Sequence, residues 1–101
     1  MTAVVPGLSA EQLNQVQQVL RLVLPGAQVA VFGSRATGRA RPFSDLDLLV
    51  SRPARLTWAQ RADLRDAFEA SLLPFGVDVV ELDSLAAGMR QRVLAEALPL
   101  P

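Results

Sequence analysis

The segment from Val29 to Val50 constrains the fold of this chain more than any other part of the sequence. It reads VAVFGSRATGRARPFSDLDLLV, which is two apolar runs of strand length separated by a polar, arginine-bearing loop. Gly33-Ser34 follows the first run, and Asp45-Leu46-Asp47 opens the second. Because side chains alternate along a strand, the two carboxylates leave the same face. The segment therefore predicts two loop-linked strands with a small-residue turn and a carboxylate pair close to the loop.

Capping residues and apolar spacing predict the element order α-β-turn-β-α-β-α. The predicted segments are a helix capped by Ser9 and stopped by Pro25-Gly26, strands over 28–32, 45–51 and 77–82, a turn or short helix over 33–38, a helix opened by Thr57, and a last helix capped by Asp83 or Ser84 that runs to about Leu98. The third strand returns after a helix, which favours a mixed sheet. We therefore expect a single α+β domain over residues 1–101, with a small mixed sheet, helices over one face and the other face free for a site.

The helix opened by Thr57 supplies much of the expected core. Its buried stripe is predicted to consist of Leu64, Ala67, Phe68, Ser71 and Leu72. Trp58 and Phe68 are both expected in the core, rather than as a platform on which a nucleotide base stacks. This helix should therefore pack its apolar side against the sheet.

The residue types that are missing restrict the chemistry. Cys, His, Tyr and Lys are absent, which excludes thiolate, Ser-His and Schiff-base catalysis and a Walker-type lysine. Asp, Glu, Ser, Thr and Arg remain, with a hard metal ion held by oxygen ligands. Ten Arg balance ten Asp and Glu, so no direct binding to nucleic acid is expected. No apolar run approaches a membrane span and no signal peptide is recognisable, so we expect a soluble cytoplasmic protein.

The carboxylates of the second and third predicted strands fit a divalent cation. Residues two apart in a strand are about 6.5–7 Å from each other, so Asp45 and Asp47 can converge on one Mg²⁺ or share two ions. Asp78 is a third candidate, because a carboxylate within an apolar strand is costly unless it is paired or bound to metal, and it could also act as a general base. Alternation places Glu81 on the other face of that strand. Ordinary surface carboxylates are the alternative for all three.

Gly33 and Ser34 have the features of a phosphate-binding turn. Glycine lets a phosphate approach the backbone closely, the following N–H groups attract anions, and the Ser34 hydroxyl can donate to a phosphate oxygen. An ordinary strand-to-helix turn with a serine cap is the alternative. The arginines of the loop are either solvated or form a positive rim for a triphosphate. These arginines are Arg35, Arg39 and Arg41.

Gly33-Ser34, ten further residues and then Asp45-Leu46-Asp47-Leu48 resemble the signature of the DNA polymerase β-like nucleotidyltransferase superfamily. Over roughly residues 8 to 98 the chain is similar to the smallest branch, the minimal nucleotidyltransferases. The resemblance implies that the Gly-Ser turn binds the nucleotide phosphates. It also implies that Asp45, Asp47 and Asp78 hold two Mg²⁺ ions and catalyse transfer of AMP from ATP to a hydroxyl, with release of pyrophosphate.

Arg35 and Ser44 complete the nucleotide-binding set that we expect. Some relatives carry an arginine immediately before the second glycine of the loop, where this chain has Thr37. Arg35 is the predicted substitute for that arginine. Ser44 directly precedes the first of the motif aspartates and is expected to contact the nucleotide with it.

The resemblance also implies a partner. Many minimal nucleotidyltransferases resemble the antitoxin half of a two-gene pair, in which they adenylylate an all-helical HEPN RNase toxin, often on a tyrosine. A HEPN-type toxin and ATP are therefore the expected partner and substrate. Two alternatives stay open, namely a non-catalytic antitoxin that captures a partner through the apolar last helix, and a small-molecule transferase of the aminoglycoside type.

Overall fold

A computed structural model describes residues 5–100 of the chain, and its elements follow the predicted order with one strand added at the end. The helices are α1 (Ala10–Val23), α2 (Ser34–Thr37), α3 (Trp58–Glu69) and α4 (Ala87–Glu96), and the strands are β1 (Gln28–Phe32), β2 (Leu46–Arg52), β3 (Val77–Glu81) and β4 (Leu98–Pro99). A 3₁₀ turn over Leu82–Ser84 follows β3. Within the described range, no helix has both the length and the apolar character needed to cross a membrane.

The strands form one mixed sheet in the order β3-β2-β1-β4. β1 and β2 are antiparallel neighbours, and β3 runs parallel to β2 on its other side. The predicted α+β class with a small mixed sheet is therefore confirmed. Sequence patterns did not indicate β4, because a strand of two residues shows no alternation; it pairs antiparallel with β1, with Leu98 opposite Val31.

The predicted capping residues Ser9 and Thr57 each form a capping box and define the starts of the two longest helices. At α1, the Gln12 N–H donates to Ser9 Oγ at 3.1 Å and the Ser9 N–H donates to Gln12 Oε1 at 3.0 Å. At α3, Thr57 and Gln60 make the equivalent bonds at 2.8 and 3.1 Å. Each box satisfies two backbone donors that a helix start leaves unpaired, so local sequence alone sets these two boundaries.

The main core lies between the sheet and helices α1 and α3. β2 is central in the sheet, and its Leu46, Leu48 and Val50 side chains are completely buried. The helices contribute Leu13, Val16, Leu20, Leu64 and Phe68 to the same cluster. One alternating set of β2 side chains therefore builds the core, as the sequence pattern predicts.

The opposite face of the sheet is partly covered by α4. Leu49 and Val93 are buried but lie outside the main core cluster, and alternation along β2 turns Leu49 away from the core face. A cavity of about 570 Å³ lies on this face, between the sheet and the C-terminal part of α4. Its lining includes Ala30, Leu49, Leu94 and Ala97. The face that we expected to be free for a site is therefore free only in part.

Two side chains expected in the core lie on the surface instead. Trp58 is 79% exposed and Leu72 is 87% exposed, whereas Leu64 and Phe68 are buried as predicted. α3 ends at Glu69, so Leu72 lies beyond the helix and outside its apolar stripe. Trp58 is the first helical residue, and its spacing of six from Leu64 turns it away from the face that packs on the sheet. The predictions for Trp58 and Leu72 are therefore wrong.

The predicted start of the last helix is also wrong. α4 begins only at Ala87, and no side chain caps it. The Asp83 carboxylate forms a salt bridge with Arg55 at 3.2 Å. The Ser84 hydroxyl donates to the Glu81 carbonyl at 2.7 Å. Both expected capping side chains are therefore bonded within or next to the 3₁₀ turn, which separates β3 from α4.

We expect Leu64→Ala to lower the free energy of unfolding by about 2–5 kcal/mol, because it removes a fully buried side chain between α3 and the sheet. Leu72→Ala is the matched control, and its exposed side chain should change stability by no more than about 0.5 kcal/mol. Urea unfolding followed by circular dichroism measures both. Equal losses in the two variants would show that the core is not where the structure puts it.

Candidate active site

The sheet register brings three of the predicted site residues together. Asp47 of β2 lies opposite Phe32 of β1 on one side and opposite Asp78 of β3 on the other. Gly33 directly follows Phe32, so it lies next to Asp47 where β1 ends. Since neighbouring strands are about 4.7–4.9 Å apart, these residues form a row across three strands, the Gly33–Asp47–Asp78 row. Alternation turns both carboxylates to the face opposite the main core.

Gly33 has a backbone conformation that other residues adopt only with strain, with φ 74° and ψ −154°. A Cβ atom at this position would collide with Oδ2 of Asp47. The missing side chain therefore lets the Asp47 carboxylate lie directly against the turn. The close approach that the sequence predicts at Gly33 is present, with a carboxylate oxygen as the approaching group.

Asp45 lies one residue before β2 and is exposed. The N–H of the next residue, Leu46, donates to the Gly76 carbonyl at 2.9 Å. A Cβ atom on Gly76 would lie 2.8 Å from Oδ1 of Asp45, so a larger residue there would have to displace the carboxylate. Because Gly76 is two residues before Asp78, this contact keeps Asp45 and Asp78 at the same end of the sheet.

Negative charge accumulates around Asp47. Burial raises the pKa of the Asp47 carboxyl above its ordinary value, and the carboxylates of Asp78, Asp45 and Glu96 raise it further. Within the part of the chain that the structure describes, none of these four residues takes part in a salt bridge. Like charges held together without a cation oppose folding, and such clusters are typical of functional sites.

The donor set of this cluster fits a hard divalent cation. Carboxylate oxygens are the ligands that Mg²⁺ prefers, and a cation would neutralise the charges that raise the pKa of Asp47. Among residues 5–100, no three carboxylates are close enough to hold one ion by themselves. Mg²⁺ commonly takes one or two carboxylates and completes its shell with phosphate oxygens and water, so the residues present are sufficient for ions that arrive with a nucleotide.

Arg35 is buried, and its guanidinium is bonded to backbone carbonyls. Nε donates to the Ser44 carbonyl at 3.0 Å, and Nη2 donates to the same carbonyl at 2.8 Å and to that of Pro42 at 3.1 Å. Nη1 donates to the Gly7 carbonyl. The guanidinium also stacks on Phe75, 3.8 Å from the ring centroid. Arg35 thus holds protein groups together, and direct contact with a phosphate would require it to leave them.

The other polar residues of the turn and loop are partly bonded to the backbone. The Ser44 hydroxyl accepts a hydrogen bond from the Arg41 N–H at 2.9 Å, and the Ser44 N–H donates to the Arg41 carbonyl at 3.1 Å. Thr37 Oγ1 donates to the Gly33 carbonyl at 3.1 Å. Ser34 is half-buried at the start of α2. The nucleotide contacts expected of this turn and loop stay predictions.

Glu81 faces the helices rather than the site, as alternation predicts. Arg61 of α3 donates to its carboxylate at 2.7 and 3.0 Å, and the Leu56 N–H donates to it as well. The hydrogen bond from Arg61 lowers the pKa of the Glu81 carboxyl below its ordinary value. Glu81 therefore belongs to the packing of α3 on the sheet.

Sequence reasoning missed two residues that shape the site. Glu96, the last residue of α4, adds its charge to the surroundings of Asp47, and no local pattern links residues so far apart in the chain. Gly76 is recognisable in the sequence only as a turn residue. Its contact with Asp45 depends on the pairing of β2 with β3, which no sequence signal specifies in register.

Known proteins are similar to this chain over most of its length. A family model described as polymerase beta, nucleotidyltransferase matches residues 14–100. Among curated proteins, the chain is 33% identical over 84 residues to the "Probable protein adenylyltransferase MntA" of Haemophilus influenzae. That match covers 83% of this chain and 74% of MntA.

Solved structures with the same fold are also similar in sequence. One, assigned as a minimal nucleotidyltransferase, is 43% identical with a TM-score of 0.70, over 86% of this chain and 90% of that one. A second, a crystal structure of a toxin–antitoxin with AMP-PNP, is 29% identical with a TM-score of 0.72, over 88% of this chain and 72% of that one. The range matched by the family model, residues 14–100, includes the Gly33–Asp47–Asp78 row.

In metal-free buffer, Asp47→Asn is expected to raise the Tm at neutral pH. A carboxyl whose pKa is raised by folding binds its proton more tightly in the folded state, so its ionisation costs stability. This cost appears as the pH rises from about 3.9, the value in an unfolded chain, through the raised value in the folded protein. The gain in Tm should therefore shrink as the pH falls toward about 4.

Calorimetry between pH 4 and 8 in the presence of a chelator measures this dependence. Asp63→Asn, a change at an exposed position of α3, is the matched control and should leave the Tm nearly unchanged. A Tm for Asp47→Asn that is lower than wild type at pH 7 would contradict the assignment of Asp47 as a residue held at a cost in stability.

Proposed function

The chain belongs to the polymerase β nucleotidyltransferase family, and on that premise we propose that it transfers AMP from ATP to a hydroxyl of a partner protein in a Mg²⁺-dependent reaction. The observation that carries the proposal is the Gly33–Asp47–Asp78 row with Asp45 beside it. It places clustered carboxylates next to a turn that begins with a glycine, Gly33. The likeness to MntA supports AMP as the transferred group and a protein as the acceptor.

The proposed roles follow from the positions of the side chains. Asp45, Asp47 and Asp78 would hold two Mg²⁺ ions, which when bound neutralise phosphate charge and increase the acidity of the acceptor hydroxyl. Gly33, against which the Asp47 carboxylate lies, would present its backbone to the phosphate chain, and the Ser34 hydroxyl would donate to a phosphate oxygen. Ser44 is a further candidate for contact with the nucleotide.

Asp78 is the group that we assign to the acceptor. It is exposed on β3, an edge strand of the sheet, so a large acceptor can reach it. Asp78 orients the acceptor hydroxyl and accepts its proton. The hydroxyl oxygen forms a bond to the α-phosphorus of ATP, the bond from that phosphorus to the bridging oxygen breaks, and pyrophosphate leaves.

The partner that we propose is a toxin of the all-helical HEPN type, which the sequence resemblance implies. The similarity to a toxin–antitoxin structure containing AMP-PNP supports both the partner and the nucleotide. In this role the chain is the antitoxin, and adenylylation of the toxin silences it. The location that we propose for the chain is the cytoplasm.

Capture of the toxin without transfer is the second candidate function. Met89 and Leu94 of α4 are 51% and 49% exposed, so the last helix offers apolar contacts to a partner. The same fold could then neutralise a toxin by covering it. The two candidates differ in whether the carboxylate row is needed.

We expect the purified protein, with Mg²⁺ and α-labelled ATP, to label the product of the neighbouring gene. Asp47→Asn should lower the rate of labelling by about 100-fold or more, since it removes a charge that acts in the transition state. Autoradiography of the two proteins after electrophoresis measures this. Asp63→Asn is the control and should label the partner at the wild-type rate.

Either of two results would reject the catalytic reading. If Asp47→Asn labelled the partner at the wild-type rate, the Gly33–Asp47–Asp78 row would not be needed for the reaction. A variant without the carboxylates of Asp45, Asp47 and Asp78 provides the second result. If it neutralised the toxin as well as wild type and formed a stable complex with it in size-exclusion chromatography, capture would be favoured. Label on an aminoglycoside rather than on a protein would point to the small-molecule alternative.

Removal of the metal provides an independent test. At about one hundred times its Kd, a non-hydrolysable ATP analogue with Mg²⁺ should raise the Tm of the wild-type protein by about 10 °C. The analogue with a chelator should raise it much less, and Asp45→Ala should lose most of the Mg²⁺-dependent part. Thermal shifts of equal size with and without Mg²⁺ would contradict metal-assisted nucleotide binding.

A further inference from the structure

We propose that Arg35 is a positioning residue, which sets the place of Asp45 through the loop and does not itself bind the nucleotide. The inference rests on the proposed function, because it assigns a role within the same site. It replaces the nucleotide contact that we expected of Arg35 as the substitute for an arginine that some relatives carry at the position of Thr37. Three sets of contacts carry it, and each joins Arg35 to a different segment of the chain.

The first set fixes the backbone that leads into Asp45. Nε and Nη2 of Arg35 both donate to the Ser44 carbonyl, at 3.0 and 2.8 Å. This carbonyl belongs to the peptide bond between Ser44 and Asp45, so its orientation determines where Asp45 begins. Nη2 also reaches the carbonyls of Arg41 and Pro42, at 3.3 and 3.1 Å. One guanidinium therefore holds most of the loop that precedes the site.

The second set fixes the other wall of the space that Asp45 occupies. The Arg35 guanidinium lies over the Phe75 ring at 3.8 Å. Phe75 directly precedes Gly76, whose carbonyl accepts the Leu46 N–H at 2.9 Å and whose missing side chain makes room for the Asp45 carboxylate. Arg35 thus holds the carbonyl of Ser44, the residue before Asp45. Through Phe75 it also holds the backbone at Gly76, which lies beside the Asp45 carboxylate.

The third set closes the arrangement from the N-terminal side. The Gly7 N–H donates to the Arg35 carbonyl at 2.9 Å, and the Gly7 carbonyl accepts from Nη1 of Arg35. A Cβ atom on Gly7 would lie 2.5 Å from the Arg35 Cα, so only glycine permits this approach. The segment before α1 therefore covers Arg35 and leaves it 4% exposed.

The charge of Arg35 acts in the same direction. Burial lowers the pKa of the guanidinium, and the nearby Asp45 carboxylate opposes that effect. A guanidinium nevertheless stays protonated in proteins, so it carries a permanent positive charge next to the loop. This charge attracts Asp45 toward the position that the backbone contacts define.

Lysine cannot reproduce this set of contacts. Arginine presents a rigid, planar fork that can serve several carbonyls and lie flat on an aromatic ring at the same time. An ammonium group is a point charge with no flat face. Arg35→Lys therefore keeps the charge and removes the geometry, which separates the two roles that the residue could have.

The test compares Arg35→Lys with Arg21→Lys, the same change at an exposed position of α1. In Arg35→Lys, amide hydrogen exchange of the protein without nucleotide should become about tenfold faster in segments 41–46 and 75–78, as expected for the loss of a charge-assisted hydrogen bond. Exchange in α1 and α3 should be unchanged. The kcat for AMP transfer should fall about 100-fold, the cost of a misplacement of about 1 Å, and the KM for ATP should rise much less than kcat falls, because Asp45 is displaced but not removed.

The outcomes distinguish a positioning role of Arg35 from direct binding of a phosphate. A raised KM for ATP with unchanged kcat and unchanged exchange would make Arg35 a phosphate ligand and overturn the positioning role. If the wild-type protein transfers no AMP, the proposed function fails, and the exchange measurement still decides whether Arg35 orders the loop around Asp45. Slower exchange, or exchange that changes equally in Arg21→Lys, also overturns the proposal.

A second variant covers the case in which Arg35→Lys does not fold. Phe75→Leu keeps an apolar side chain beneath the guanidinium and removes the aromatic face. It should lower kcat about fivefold, with little change in the KM for ATP, and should speed exchange in the same two segments. Unchanged exchange in 41–46 would show that the stack does not transmit order to the Asp45 loop.

Discussion

The pairing of β2 with both of its neighbours is the constraint on which the core and the site depend. One face of this strand supplies the completely buried Leu46, Leu48 and Val50, and the other carries Asp47. A shift of one residue in register would exchange these two faces, so hydrophobic burial specifies the register strongly. The same burial thereby places Asp47 next to Gly33 and Asp78. The site is thus positioned by the packing energy of the opposite face.

The carboxylates of the Gly33–Asp47–Asp78 row lower the stability of the folded protein at neutral pH. Asp47 is desolvated and lies among other carboxylates, which raises its pKa and opposes folding at neutral pH. Two glycines, Gly33 and Gly76, leave space for carboxylate oxygens where any larger residue would displace them. Such an arrangement is understandable if cations and a nucleotide relieve the repulsion when they bind. The fold therefore gives up stability locally at these carboxylates.

Order in the loop before Asp45 comes from one buried cation and from the hydrogen bonds between Arg41 and Ser44, rather than from a helix or strand. Arg35 donates to carbonyls of the loop and of the N-terminal segment and stacks on Phe75. These groups are distant in sequence but meet around a single guanidinium. The loop before Asp45 is therefore ordered around Arg35, and not all of its arginines are exposed. Exposed positions such as Arg39 and Arg41 remain available to solvent or substrate.

Local sequence determined the parts of this protein that depend on near neighbours. Ser9 and Thr57 define helix starts through bonds to residues three positions away, and the alternation in β2 defines its two faces. The spacing of Gly33, Ser34, Asp45 and Asp47 was sufficient to indicate the family. The sequence failed where a residue's surroundings come from elsewhere, as for the exposed Trp58 and Leu72 and for the late start of α4.

Only the tertiary structure decided which distant groups surround each site residue. It placed Glu96 near Asp47, Gly76 beside Asp45, and Gly7 and Phe75 around Arg35. An arginine in a polar loop has the same local pattern whether its guanidinium meets water, a phosphate or a set of carbonyls. The difference lies in long-range burial, because a charged group loses its hydration only when separate segments close over it and replace the water with hydrogen bonds.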